Sequence, residues 1–314
     1  MRDLWPALRF VGGVLVLGLL VWRFGTGPIA DAWRVTTWGS IALALVLTAL
    51  ATLANAWRWR VVSRALGIPL TPLGSVAAYY RSQFLNSVLP GGVLGDAHRG
   101  ALQGRGAGDL GAGLRATVWD RVSGQVIQAA LVVLTLALLP TPLRGYTPAA
   151  LAGLAAVAVL SWWLARRDGV LAFVGRDLGT LGRSAVVTRV ALASCASTAA
   201  HVAVFAVAVR SVGLALPFDQ VVVLALVVLV GSAIPLNVAG WGPREGVTAA
   251  VFVLAGQSSA DGLTVSIVFG VLSTVATLPG VLVLLADVVV RRRRPPVGRR
   301  SEARTRPLEE ARRG

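Results

Sequence analysis

Six stretches of this chain, roughly 7–23, 39–57, 117–139, 148–165, 188–210 and 263–290, are each seventeen residues or longer and built almost wholly of apolar side chains. Runs of that length are what a helix needs to cross the ~30 Å hydrocarbon core of a bilayer. Inside hydrocarbon the backbone must satisfy its own hydrogen bonds, so the runs predict helices and exclude open strands. Two further runs, 73–89 and 219–236, each end in a broken polar motif, and a short apolar piece, 247–255, follows the second. The expected fold class is an all-α integral membrane bundle. It has about six full transmembrane helices plus two broken, re-entrant helical segments (6–8 spans), related as an inverted repeat; the second segment reads equally as two crossings, 219–236 and a short 247–255. Residues 1–290 form the polytopic membrane domain, with re-entrant motifs near 73–103 and 219–255. Residues 291–314 form a basic cytoplasmic tail without fixed structure.

Charge agrees with this class. Only 14% of the residues are charged, against about 25% in a soluble domain. The formal net charge of +16 could suggest a nucleic-acid partner, but its distribution argues against one. The tail holds ten Arg against three acids and so supplies +7 of the total. The other arginines lie mostly between apolar runs, as the positive-inside rule places them. By that rule the connections 57–72 (Arg58, Arg60, Arg64) and 166–189 (Arg166, Arg167, Arg176, Arg183, Arg189) and both termini are cytoplasmic. The connections 140–148, 211–218 and 256–262 are external. This places the chain in the cell membrane as a multi-pass protein. Arg2 and Arg9 before the first run could head a signal peptide, but no small-residue cleavage site follows, and the run reads as the first transmembrane helix. Trp5, Trp22, Trp38, Trp57, Trp59, Trp119, Trp162 and Trp163 lie near run ends, as interfacial anchors do. Cys195, the single cysteine, reads as a small packing residue. With two histidines and no HExxH or CxxC, no metal site and no cofactor is expected.

The two broken segments carry the chemistry. The first reads Ser87-Val-Leu-Pro90-Gly91-Gly92-Val-Leu-Gly95-Asp96-Ala-His98-Arg99. The second reads Ser232-Ala-Ile-Pro235-Leu-Asn237-Val-Ala-Gly240-Trp241-Gly242-Pro243-Arg244-Glu245. Both fit S-x-x-P-x4-G-x3-R in one register, 145 residues apart, which is the mark of an internal repeat. Pro and Gly stop a helix and free backbone groups. In a membrane such a break persists only inside protein or along a wet cavity. A helix restarting after it points its N-terminal amides at the break and attracts anions. Paired breaks in two halves of a chain point to a transport site.

Arg81, Asp96, Arg99, Asp120, Arg121, Arg244 and Glu245 lie in or beside apolar runs. At about 3 kcal/mol for each central unpaired charge, seven would cost about 20 kcal/mol, so they must pair, meet water or sit at the interface. Two readings stay open. They form a substrate-binding site, or they are interfacial ends and caps: Asp96 an N-cap, Asp120 and Arg121 a helix start, Arg81 a snorkelling side chain. Three one-sided stripes are read as helix-packing faces, His201 included: Asp120, Gly124 and Gln128; Ser194, Ser197, Thr198 and His201; Ser266, Gly270, Ser273 and Thr277. Pro279 should kink the last span.

At these motifs the chain resembles the lysylphosphatidylglycerol synthase transmembrane family, also called flippase-like membrane proteins. The resemblance rests on Pro90–Arg99 (P-G-G-x-x-G-D-x-x-R), Asp120-Arg121-Val-Ser-Gly124 ([DE]-R-x-x-G) and Pro235–Glu245 (P-x4-G-x-G-x-R-E), and spans about residues 8–290. Ala239, Trp241 and Pro243 depart from the glycine or aliphatic residues common in relatives. The resemblance implies a domain that flips an aminoacylated phospholipid made by a separate soluble domain. The 24 residues after Val290 leave no room for that second domain, so lipid synthesis by this chain is not expected. The expected function is therefore a lipid translocase moving a phospholipid or polyprenyl-phosphate-linked lipid. Arg99, Arg121 and Arg244 would bind phosphate, and Asp96, Asp120 and Glu245 would hold those arginines or meet a cationic head group. Alternatives are a membrane partner that anchors a separate synthase or glycosyltransferase, a lipid-linked transferase, and a small-ion transporter. No nucleotide loop or nucleophile motif supports an enzyme.

Overall fold

The computed structural model describes residues 27–89, 92–167, 171–232 and 243–293. The expected first span near 7–23, the break residues Pro90 and Gly91, the second break with Pro235, Gly240 and Gly242, and the tail from 294 lie outside these residues. Among the described residues every regular element is helical. The helices are α1 (Gly27–Val35), α2 (Trp38–Ala65), α3 (Pro72–Val88), α4 (Leu94–Gly106), α5 (Leu110–Leu138), α6 (Thr147–Arg167), α7 (Leu171–Leu181), α8 (Ser184–Ser211), α9 (Phe218–Ser232), α10 (Pro243–Leu254), α11 (Ser259–Ala276) and α12 (Pro279–Arg293). A short 3-10 turn, Pro142–Tyr146, precedes α6.

Local sequence sets the helix ends. Thr37 and Ser40 form a reciprocal capping box at the start of α2. Thr71 caps α3, whose first residue is Pro72, and Asp109 caps α5 by accepting the Ala112 amide at 2.8 Å. Gly108, at φ +77°, turns the chain from α4 into α5, a conformation that a side chain resists. Among the described residues four segments are long and apolar enough to cross a membrane: Trp38–Ala65, Leu110–Leu138, Ser184–Ser211 and Ser259–Asp287. The last is divided at Thr277, with Pro279 opening α12, so the expected kink is a full helix end. α6 occupies the expected run at 148–165.

The main apolar core joins α8, α9, α10 and α11 around Phe205, Leu224, Val228, Phe252, Phe269 and Leu272, all buried. Phe205 and Phe269 meet edge to face at 5.6 Å. Glycine sets the spacing elsewhere. A Cβ on Gly113 of α5 would lie 2.5 Å from the Gly104 Cα of α4, so the two backbones touch. Gly280 likewise lets α12 lie against the Tyr80 carbonyl of α3.

Both broken segments fold back on themselves. The Gln103 side chain, near the end of α4, donates to the Pro69 carbonyl just before α3, at 3.4 Å. The Gln220 side chain, in the first turn of α9, donates to the Ala255 carbonyl just after α10, at 3.0 Å. At the inner ends, Ser82 and Asn86 of α3 bond Asp96 of α4, and Gly231 of α9 abuts Val247 of α10. Each pair is a helical hairpin whose open ends adjoin.

Four expectations change here. Arg58 is not in a connection: α2 continues to Ala65, and Arg58 is buried on it. Trp59 is no interfacial anchor, since it is 1% exposed, whereas Trp38, Trp57, Trp162 and Trp163 are exposed as expected. Cys195 lies on the exposed surface of α8, not in the packing. Asp120 and Arg121 do not start a helix, because α5 begins ten residues earlier at Leu110, and they sit in its middle.

Candidate functional site

The hairpin tip of α3 and α4 presses onto the middle of α2 and α5, and four of the seven candidate residues meet there. Gly95 makes the approach possible: a Cβ would collide with the Ser82 carbonyl and lie 2.8 Å from Asn86 Oδ1. Asn86 instead accepts the Gly95 amide at 2.8 Å, which caps α4 from the neighbouring helix. Its amide group also donates to Asp96 Oδ2 at 2.9 Å, and Ser82 Oγ donates to Asp96 Oδ1 at 2.8 Å. Asp96 therefore caps nothing. It is a buried acceptor facing out of α4.

Arg99, one turn further along α4, joins the two carboxylates. Its Nη2 donates to Asp96 Oδ1 at 2.9 Å and to Asp120 Oδ2 at 3.0 Å. The guanidinium packs over the Tyr79 ring at 4.1 Å and the Trp59 ring at 4.3 Å, two rings that meet edge to face. Planar arginine can be stacked this way where lysine cannot. Asp120 is wholly buried and accepts twice more, from Arg58 Nε at 2.8 Å and from the Tyr79 hydroxyl at 3.1 Å. Arg121 reaches the opposite side, to Asp96 and, at 3.1 Å, to the Gly92 carbonyl at the break. Gly124, one turn after Asp120, leaves room for Arg58, since a Cβ there would lie 2.6 Å from Arg58 Nη1. The cluster is thus Arg58, Arg99 and Arg121 with Asp96 and Asp120.

This cluster forms one wall of a polar cavity of about 230 Å³. Asp96, Arg58 and Arg121 line it together with Asn55, Gln83, Gln125 and Gln128, and Ser197, Thr198 and His201 of α8 close the other side. His201 holds the Ser197 carbonyl with Nδ1 at 2.7 Å. Two of the stripes read as packing faces are therefore cavity walls. Beside the cavity is an apolar groove of about 430 Å³, lined by Ala129, Val132, Ala150, Gly153, Val227 and Val230 among others. α5 and α9 serve both: Gln128 and Leu229 face the cavity, and Ala129 and Val230 face the groove.

The remaining candidates lie elsewhere. Arg244 and Glu245 form a pair at the start of α10, with Arg244 Nε donating to Glu245 Oε1 at 2.9 Å. Glu245 is 1% exposed and also accepts from Ser266 Oγ at 3.4 Å. Arg244 lies over the Phe269 ring at 5.8 Å, in space that Gly270 leaves open. The Ser266–Gly270 stripe of α11 is thus the seat of this pair. Arg81 binds Asp287 of α12 and belongs to neither group. Of the helix-break residues that are described, Gly95 makes the close contact above and Gly92 takes φ +59°. Sequence reasoning missed Arg58, Trp59, Tyr79, Ser82, Asn86 and Asp287. Only the two charged partners Arg58 and Asp287 carried a signal, as charges at the ends of apolar runs.

A model of the family described as the lysylphosphatidylglycerol synthase TM region matches residues 7–280. No curated protein and no solved structure matches the chain.

Proposed function

The chain belongs to the family of the lysylphosphatidylglycerol synthase TM region, and from that premise and the geometry above we propose that it is a lipid translocase. The observation that carries the reading is the charged polar cavity sharing two helix walls with an apolar groove, inside a bundle of membrane-crossing length. An amphipathic molecule fits such a pair of spaces: the head group in the cavity, an acyl or prenyl chain in the groove. A purely soluble solute has no use for the groove.

The two hairpins are re-entrant in this reading. α9 and α10 have 15 and 12 residues, about 22 and 18 Å at 1.5 Å per residue, short of the ~30 Å core. Their adjoining open ends support a return to the side of entry. The charge rule then puts the first hairpin's mouth in the cytoplasm and the second's outside.

Arg99 organises the site and does not bind lipid, because its side chain has no exposed surface. Arg58 and Arg121 line the cavity and are the phosphate ligands. Arg121, with its side chain 38% exposed, has room to exchange Asp96 for a lipid phosphate and back. Such an exchange keeps both charges paired at every stage, which lowers the cost of moving a head group through hydrocarbon. Arg244 and Glu245 play the corresponding part at the second hairpin.

Reconstitution into liposomes tests the proposal. Acyl-labelled phospholipid should equilibrate between leaflets at least ten-fold faster with the protein than without it. A Gln128→Trp chain, whose indole fills the cavity, should lose that acceleration while eluting and melting like the parent. Equal rates for empty liposomes, parent and variant would remove the assignment.

A further inference from the structure

We infer that the cavity selects a head group of net negative charge: a phosphodiester whose other substituents are neutral and hydroxyl-bearing, not a zwitterionic or cationic one. The inference rests on the translocase reading for its lipid and on the following geometry for its sign.

Among the described residues, the charged groups of the cluster are Arg58, Arg99 and Arg121 against Asp96 and Asp120. The set is one cation in excess. Both carboxylates are also already engaged. Asp96 takes four donors, from Ser82, Asn86, Arg99 and Arg121. Asp120 takes three, from Arg58, Tyr79 and Arg99. The donors are not used up. Arg58, on the cavity wall, spends Nη1 on only a 3.3 Å bond to Ser194 Oγ, and Arg121, also on the wall, keeps 38% of its side chain exposed. A buried set with spare N–H groups, no spare carboxylate and an extra positive charge is complementary to an anion. A cationic amine entering it would meet like charge and no open acceptor of opposite sign, which selects against it.

The rest of the lining has a different character. Asn55, Gln83, Asn86, Gln125 and Gln128 are carboxamides, and Ser197 and Thr198 are hydroxyls. Each both donates and accepts, which suits hydroxyl groups and gives no preference for a second charge. His201 turns Nδ1 to its own helix, so only its other face meets the cavity. At about 230 Å³ the space corresponds to roughly eight waters at ~30 Å³ each. That suits a small head group such as phosphoglycerol.

Binding to the detergent-solubilised full chain tests the sign independently of movement. Phosphatidylglycerol (net −1) should bind at least ten-fold more tightly than phosphatidylcholine (net 0) or lysylphosphatidylglycerol (net +1), all with the same acyl chains. Gln128→Glu, nearly isosteric on the cavity wall, neutralises the excess and should remove that preference. Arg121→Gln should weaken phosphatidylglycerol at least ten-fold. Lysylphosphatidylglycerol binding as tightly as phosphatidylglycerol to the parent, or a Gln128→Glu chain with unchanged ranking, overturns the inference. Glycerol 3-phosphate displacing the lipid at equal concentration would show that the groove adds nothing, and would overturn the lipid source. If the ranking holds in binding but no lipid crosses liposomes, the sign of the site stands and the translocase reading fails.

Discussion

A guanidinium with no exposed surface must find all its solvation in protein, and Arg99 finds it in two carboxylates and two aromatic faces. Removing one member of such a buried set strands the others, at a cost of about 3–5 kcal/mol. Arg99→Ala should therefore lower stability by that amount, read as a fall in thermal unfolding temperature in detergent. Arg99→Lys should recover only part of it, since an ammonium is a point charge without the planar face that packs over the two rings. Arg121→Ala, at a half-open site, should cost about 1 kcal/mol at most, as for an exposed ion pair, and act on lipid binding instead. Equal losses for Arg99→Ala and Arg121→Ala would contradict the division of roles. The sequence exposed Asp96, Arg99, Asp120 and Arg121 as charges stranded in apolar context. It hid Trp59 and Tyr79, whose stacking exists only once α2 and α3 meet α4. It misplaced Arg58, because the positive-inside count treats any arginine at the end of an apolar run as a connection residue, and nothing local shows that α2 continues to Ala65.

The working elements are the two hairpins, and glycine fixes how closely they close. Gly95→Ala should push α4 off the Ser82 carbonyl, break the Asn86 cap, and cost about 1–3 kcal/mol by overpacking. Gly124→Ala should displace Arg58 from Asp120 by a similar mechanism. Both are read as losses in unfolding temperature that a Gly153→Ala control, with open space around it, does not show. Hairpin closure has its own check. In a Cys195→Ser background, the pair Gln220→Cys and Ala255→Cys should be joined by a short thiol crosslinker. No crosslinking would mean that α9 and α10 do not return to one end. The Pro-Gly composition marked where these helices stop, and the helix bounds of 72–88 and 94–106 follow it closely. It carried no sign of Gln103 or Gln220, because a glutamine that latches a hairpin looks like any polar residue at a helix end.

At the scale of the whole molecule, a family match over residues 7–280 and helices of spanning length make this a multi-pass membrane protein. The sidedness we propose rests on arginine placement and is open to direct labelling. In the Cys195→Ser background, an impermeant thiol reagent should reach Ala107→Cys only from the cytoplasmic side and Gln257→Cys only from outside. Labelling of both from one side would contradict the opposed hairpins. The bundle then presents a cationic cavity beside an apolar groove at mid-height of its long helices, and everything proposed for its function depends on a lipid occupying both. A structure of the chain in phosphatidylglycerol nanodiscs tests that most directly. The account predicts a phosphate within about 4 Å of Arg121 and Arg58, the ion-pair range, and an acyl chain running past Ala150, Gly153 and Val230. Lipid confined to the outer surface of the bundle, with the cavity holding only water, would contradict it.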